Sequence, residues 1–198
     1  RRAFAKNVGF DSQNLIVPTQ THSTNVNFFS SAGSIQNYDG VFTKKESNVC
    51  SIKVADCMPI YFAHSSEKVF GLVHAGWRGL VNGILDRSAI LIKKEGYHLS
   101  DFEIIIGPSI QKCCFEVGDD IINKFKIQFV TPTSNTGKYR VDLQMHALND
   151  MKNIGFEKNN ISILTDCTYC ETEKYHSYRR DGENSGRMIG LIGLGPLN

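Results

Sequence analysis

The 198-residue sequence predicts an α/β fold (α+β in the broad sense) with mixed rather than purely parallel strand pairing, in a single domain spanning residues 1–198. Three observations carry this. Short runs rich in Val, Ile and Phe alternate with runs whose apolar residues recur at helical spacing. Two of the strand runs lie close enough to form a hairpin, and glycines stand where the helical runs stop.

In chain order, residues 47–54, 60–63 and 68–74 read as strands, the last two joined by a turn at His64, Ser65 and Ser66. From Leu80 the apolar residues Leu80, Val81, Ile84, Leu85, Ala89 and Ile92 fall on one helix face, and Gly96 supplies a left-handed stop. Residues 102–106, ending at Gly107 and Pro108, read as a buried strand; residues 119–129 show a helical pattern behind an acidic first turn. Residues 131–138 read as a surface loop. Asp142 caps a helix whose apolar face includes Leu143, Leu148, Met151 and Ile154, closed by Gly155, and residues 161–164 give another strand. Arg187 opens a last apolar run over residues 188–197, broken by Gly190, Gly193, Gly195 and Pro196 and too short for the roughly 20 residues that span a bilayer.

Composition narrows the function classes. At 41% hydrophobic the chain can bury one substantial core, and 22 Lys+Arg against 20 Asp+Glu, with no basic block, point away from nucleic acid and acidic membranes toward a small ligand. No signal-peptide pattern opens the chain, so its six cysteines are expected in a reducing, cytoplasmic setting. The sequence begins at Arg1 rather than Met, and it is compatible with a monomer or a homodimer.

The chemistry concentrates around residues 69–79, V-F-G-L-V-H-A-G-W-R-G, where an apolar run ends at His74 and opens into a glycine-bearing loop before a helix. Cys57 lies 17 residues upstream, a spacing that suits a hairpin placing thiolate and imidazole side by side. Catalytic zinc keeps three protein ligands and one open position, and His22, Cys57 and His74 could supply them, although a histidine alone is more often a satisfied core or surface residue and a free cysteine a small buried hydrophobe. A second metal reading pairs Cys113 and Cys114 with the C-x-x-C of Cys167 and Cys170. Adjacent cysteines lack knuckle spacing, so these four are expected to be packing residues. Arg78, at a helix start, suits a phosphate or carboxylate clamp; Arg179 and Arg180 flank a turn that could fold over a pocket; Trp77 and Tyr178 could stack on a flat ring.

Taken together these segments resemble the YfiH family, the laccase-domain or multicopper polyphenol oxidase proteins now regarded as purine nucleoside phosphorylases. The resemblance rests on Q-T-H-S at 20–23, D-G-V-F-T at 39–43, A-D-C-M-P-I at 55–60, H-A-G-W-R-G at 74–79, G-P-S-I at 107–110, F-E-V-G at 115–118, C-T-Y-C at 167–170, Y-R-R-D-G at 178–182 and G-R-M at 186–188. It implies that His22, Cys57 and His74 bind zinc, that the mixed sheets form a four-layer α/β/β/α arrangement, and that purine nucleosides and phosphate are the partners. It further implies phosphorolysis of adenosine, inosine, guanosine and methylthioadenosine, with adenosine deamination. The family's N-terminal strands are absent before Arg1, and Ser109 stands where cysteine or alanine is frequent; Ser109, Cys113 and Cys114 are left out of the site.

Within that reading Asp56 is the candidate proton carrier, Arg78 the first choice for phosphate, Arg179 and Arg180 the second, and Trp77 or Tyr178 the purine platform. A rival class makes Cys57 a nucleophile with His74 as its base, a cysteine hydrolase or deamidase. Copper-dependent, laccase-like oxidation is the third; it needs H-x-H pairs, which the six histidines do not form.

Overall fold

A computed structural model describes residues 1–195. The strands are β1 (Leu15–Thr19), β2 (Val26–Phe28), β3 (Gly33–Gln36), β4 (Gly40–Thr43), β5 (Val49–Val54), β6 (Met58–His64), β7 (Phe70–Ala75), β8 (Phe102–Ile106), β9 (Glu116–Gly118), β10 (Val130–Pro132), β11 (Lys138–Val141), β12 (Ile161–Ile163) and β13 (Met188–Gly193). The α-helices are α1 (Arg2–Asn7), α2 (Trp77–Val81), α3 (Ile84–Lys94), α4 (Asp119–Ile122), α5 (Leu143–Ile154) and α6 (Tyr178–Asp181).

Among the described residues three sheets result, in the orders β12-β8-β6-β7-β4-β2, β13-β5-β1-β3 and β10-β11-β9. The two larger ones are mixed, as expected: β1 runs parallel to β3 and β5 while β13 is antiparallel to β5, and β6 is antiparallel to both β7 and β8. Side-chain alternation along the strands divides the core in two. Ile16, Val41, Cys50, Ile52, Phe70 and Leu72 fill the space between the six- and four-stranded sheets. The opposite face of the six-stranded sheet, with Met58, Ile60, Phe62 and Ile104, receives Ile84, Leu85, Ala89 and Ile92 of α3 and Leu143, Ala147 and Met151 of α5. Each such large side chain contributes roughly 1.5–3 kcal/mol by leaving water.

Several elements differ from the sequence reading. The helix expected from Leu80 is two helices, beginning at Trp77 and interrupted at Gly83, whose φ of 88° no helix interior tolerates. Residues 119–129 hold only the single turn of α4 and a 3₁₀ turn at Ile127–Phe129; Phe125 alone is buried there, too little apolar surface to support a longer helix. The expected buried strand β8 is buried on one face only, leaving Ile105 exposed. Of the loop expected at 131–138, residues 133–137 form the tip of the β10–β11 hairpin, whereas Thr131 and Pro132 belong to β10 and Lys138 to β11. The expected cap is present: the Asp142 carboxylate accepts from the N–H of Met145, and Gly155 ends α5 at φ 113°. Of the final apolar run, residues 196–198, including Pro196 and Leu197, lie outside the described residues. Among the described residues no helix is long and apolar enough to cross a membrane.

Candidate metal centre and binding cavity

The β6–β7 hairpin does what the 17-residue spacing predicts: Pro59 pairs with His74, and Cys57 sits in the turn immediately before β6. His22 arrives from the segment linking β1 and β2, bent back at a φ of 58°. Such left-handed backbone is costly for a residue with a Cβ, and the same is true of Asp56, at φ 81°. The outcome is convergence. Cys57 Sγ lies 3.9 Å from His22 Nε2, and one ligand atom from each of His22, Cys57 and His74 falls within 4.8 Å of the others.

One buried carboxylate organises both imidazoles. Asp39, 0% exposed, meets His74 Nδ1 at 2.8 Å, which turns Nε2 toward Cys57. It also accepts from the backbone N–H groups of Thr21, His22 and Ser23 and from the Ser23 hydroxyl, which fixes the His22 loop. Burial opposes ionisation of Asp39, but its bonds to His74 and Ser23 prevail and hold it at about 2. Burial likewise opposes charge on His74 and Cys57. Hydrogen bonding to Asp39 and Cys57 nevertheless raises His74 to about 9, and the two histidines bring Cys57 down to about 7. The thiol is thus prepared to act as thiolate near neutrality.

The donor set fits a zinc ion. Two imidazoles and one thiolate are the ligand types that zinc prefers; Zn–S near 2.3 Å and Zn–N near 2.0–2.1 Å imply S···N separations of about 3.5 Å in a tetrahedron, close to that observed. Gly76 confirms how tightly the donors are drawn together. A Cβ there would stand 2.9 Å from both Cys57 Sγ and His22 Cδ2.

The trio lies at the edge of a cavity of about 930 Å³. Of the expected substrate residues, Trp77, Arg78, Tyr178 and Arg179 line it. Arg78 places its guanidinium 4.4 Å from the centre of the Trp77 ring, and Trp77 also packs against Phe125. Arg179 lies over Phe115 and donates to the Glu116 carbonyl. Arg180 does not line the cavity, contrary to expectation. Its guanidinium is spent on Asp181 and on the carbonyls of Thr168, Tyr169 and Tyr175, so it braces the loop instead. Asp56 lines the cavity, but both carboxylate oxygens are engaged, one by the Thr168 hydroxyl and the other by the Arg179 N–H, each at 2.7 Å. That makes it a latch between the β5–β6 turn and the segment carrying Thr168 and Arg179.

Sequence reasoning missed Arg1, Asp39 and Arg187 as parts of the site. Arg1 and Arg187 line the cavity, and two guanidinium nitrogens of Arg1 are buried without a hydrogen-bond partner. The signal for Asp39 was its place in D-G-V-F-T. Arg1, at the sequence's first position, offered none. The four cysteines expected to pack also differ: Cys113 and Cys170 are exposed, and the sulfurs of Cys113, Cys114, Cys167 and Cys170 gather within 4.8 Å of one another.

The family model described as "Multi-copper polyphenol oxidoreductase laccase" matches residues 1–195. A protein of Haemophilus influenzae named purine nucleoside phosphorylase is 34% identical over 187 residues, covering 91% of this chain and 74% of that one. A protein named adenosine deaminase RL5, from an unknown prokaryotic organism, is 30% identical over 205 residues, with coverage of 96% and 78%. The crystal structure of Bacillus licheniformis hypothetical protein YfiH superposes with a TM-score of 0.91 at 27% identity, covering 98% of this chain and 79% of that one.

Proposed function

We propose that this chain, which belongs to the multi-copper polyphenol oxidoreductase laccase family, is a zinc-dependent purine nucleoside phosphorylase that also deaminates adenosine. The observation that carries the reading is one cavity lined by the His22, Cys57 and His74 donors together with Arg1, Arg78 and Arg187, the last with one guanidinium nitrogen bonded to the Ser185 and Gly186 carbonyls. Cations converging on a cavity without a matching excess of free carboxylates suit an anionic co-substrate, and phosphate is the anion that phosphorolysis consumes. Adenosine, inosine, guanosine and methylthioadenosine are the proposed nucleosides.

A zinc ion held by His22, Cys57 and His74 would supply positive charge to a substrate in the cavity. The protein's own groups do the rest. Asp39 holds both imidazoles in register, Trp77 and Tyr178 offer aromatic surface to the base, and Arg78 presents a forked donor to phosphate. The latched Asp56 fixes the backbone of Arg179 and is a positioning residue in this scheme. The family's copper name is met by a three-donor set with no cluster of histidines among the described residues, which favours one zinc over several coppers.

Incubating the protein with adenosine, with and without phosphate, and separating adenine from inosine tests the reading. Phosphate-dependent adenine with phosphate-independent inosine is expected; neither product would overturn it. Replacing Arg78 with Lys should raise the KM for phosphate about tenfold while moving the nucleoside KM less than about twofold, because the fork is lost. Equal rises in initial-rate measurements would remove Arg78 from the phosphate. For Asp56→Asn, the nucleoside KM should rise about tenfold with kcat within about threefold of normal. A kcat loss of about 10²-fold or more, with loss of the acidic limb of the pH profile, would restore it as the proton carrier.

A further inference from the structure

Cys113 and Cys114 lie between β8 and β9, and Cys167 and Cys170 in the turn that follows β12, so chain segments distant in sequence bring four sulfurs to one point. The Sγ separations are 3.3 Å for Cys114–Cys170, 3.6 Å for Cys113–Cys167 and 3.8 Å for Cys113–Cys170. Four thiolates around zinc at about 2.3 Å define a tetrahedron with edges of about 3.8 Å. These three spacings lie at that edge or short of it, and the four sulfurs all fall within 4.8 Å of one another. We propose that Cys113, Cys114, Cys167 and Cys170 form a second, structural zinc site, separate from the His22, Cys57 and His74 centre and independent of the activity assigned to it.

Packing does not explain the cluster, since two of its members are exposed and only Cys167 is buried. The backbone is arranged for thiolates. The Cys167–Cys170 segment closes a tight turn in which the N–H groups of Cys170 and Glu171 both donate to the Cys167 carbonyl, at 3.1 and 2.9 Å. The Gln111 N–H points at Cys167 Sγ from 3.4 Å, a donor well placed to offset charge on a bound sulfur. Four soft donors select zinc over hard cations, and occupying all four positions leaves no vacancy for water or substrate. On binding, each thiol releases its proton to solvent and each sulfur donates one lone pair; no oxidant is needed.

The site's consequence is mechanical. Thr168 binds the Ser109 carbonyl through its N–H and Asp56 through its hydroxyl, while Arg180 grips the carbonyls of Thr168 and Tyr169. A metal among the four sulfurs would therefore clamp the loop carrying Ile110 and Phe115 to the segment that presents Tyr178 and Arg179, fixing one wall of the cavity.

The test uses the full chain purified under reducing conditions. A His22→Ala/His74→Ala variant titrated with Co²⁺ alone should still bind one ion per chain, with intense sulfur-to-cobalt charge transfer in the near-ultraviolet and the visible bands of a tetrahedral centre. Adding Cys170→Ser should abolish that signature. In unaltered, zinc-replete protein, iodoacetamide followed by peptide mass mapping should leave Cys113, Cys114, Cys167 and Cys170 unlabelled until a chelator is added, a readout that stands even if the variants fail to fold. Full labelling of the four in the presence of zinc, their recovery as disulfides from the reduced preparation, or no thiolate-bound cobalt in a folded double variant would overturn the proposal.

Discussion

His22→Ala is expected to remove bound metal and phosphorolysis together, lowering kcat/KM by about 10³-fold, the scale of losing a principal stabiliser of transition-state charge. His22 discriminates better than His74 because the two rival chemistries disagree about it. A Cys57 nucleophile needs one base, and His74, buried and held by Asp39, would serve. His22 is exposed and 3.9 Å from the same sulfur; a nucleophile pair could spare it, whereas a three-donor ion cannot. Metal content by elemental analysis and adenine release in phosphate should therefore fall in step for His22→Ala and His74→Ala. Loss of turnover in His74→Ala with near-normal turnover in His22→Ala would establish the cysteine hydrolase reading. Retained phosphorolysis in either variant after metal is lost would end the zinc assignment.

How much of this was legible in the sequence follows from the range over which each force acts. The β6–β7 hairpin, the Asp142 cap and the Gly155 stop are set by residues within a turn of one another, and all could be read. Strands β1 to β4 could not. They are short and carry few alternating apolar residues; β2 and β3 hold no buried residue, and where β1 and β4 are buried it is against partners elsewhere in the chain, as Ile16 is in one cluster with Val41 and Phe70. The site shows the same division. His22, Cys57 and His74 carried their chemistry in their side chains, whereas the role of Asp56 depends on hydrogen bonds closed to Thr168 and Arg179 far along the chain, which no local pattern records, and that of Arg180 on which nearby carbonyls its loop turns inward. The gathering of the four cysteines was not anticipated because adjacency in Cys113 and Cys114 breaks the familiar spacing, although one loop brings both sulfurs to the same cluster.

Asp39→Asn should have the second largest effect, through a residue that touches no substrate. The carboxylate gathers five contacts: the N–H groups of Thr21, His22 and Ser23, the Ser23 hydroxyl, and His74 Nδ1. An amide keeps one accepting oxygen and turns an NH₂ toward groups that already donate, so His22 and His74 both lose their registration. Metal affinity should fall about 10–100-fold, the usual cost of removing the group behind a ligating histidine. Stability should fall as well, and its pH dependence identifies the cause. Because folding depresses Asp39 from 3.8 to about 2, its charge stabilises the folded state above pH 4 by about 2 kcal/mol. That contribution is lost as pH falls through about 2. Urea denaturation of metal-free protein should therefore show wild type more stable than the variant near neutrality, with the difference shrinking between pH 4 and pH 2. A difference that stays constant over that interval would mean that shape rather than charge at Asp39 holds the two imidazoles, and the ordering of the site would have to be sought in the strained His22 backbone itself.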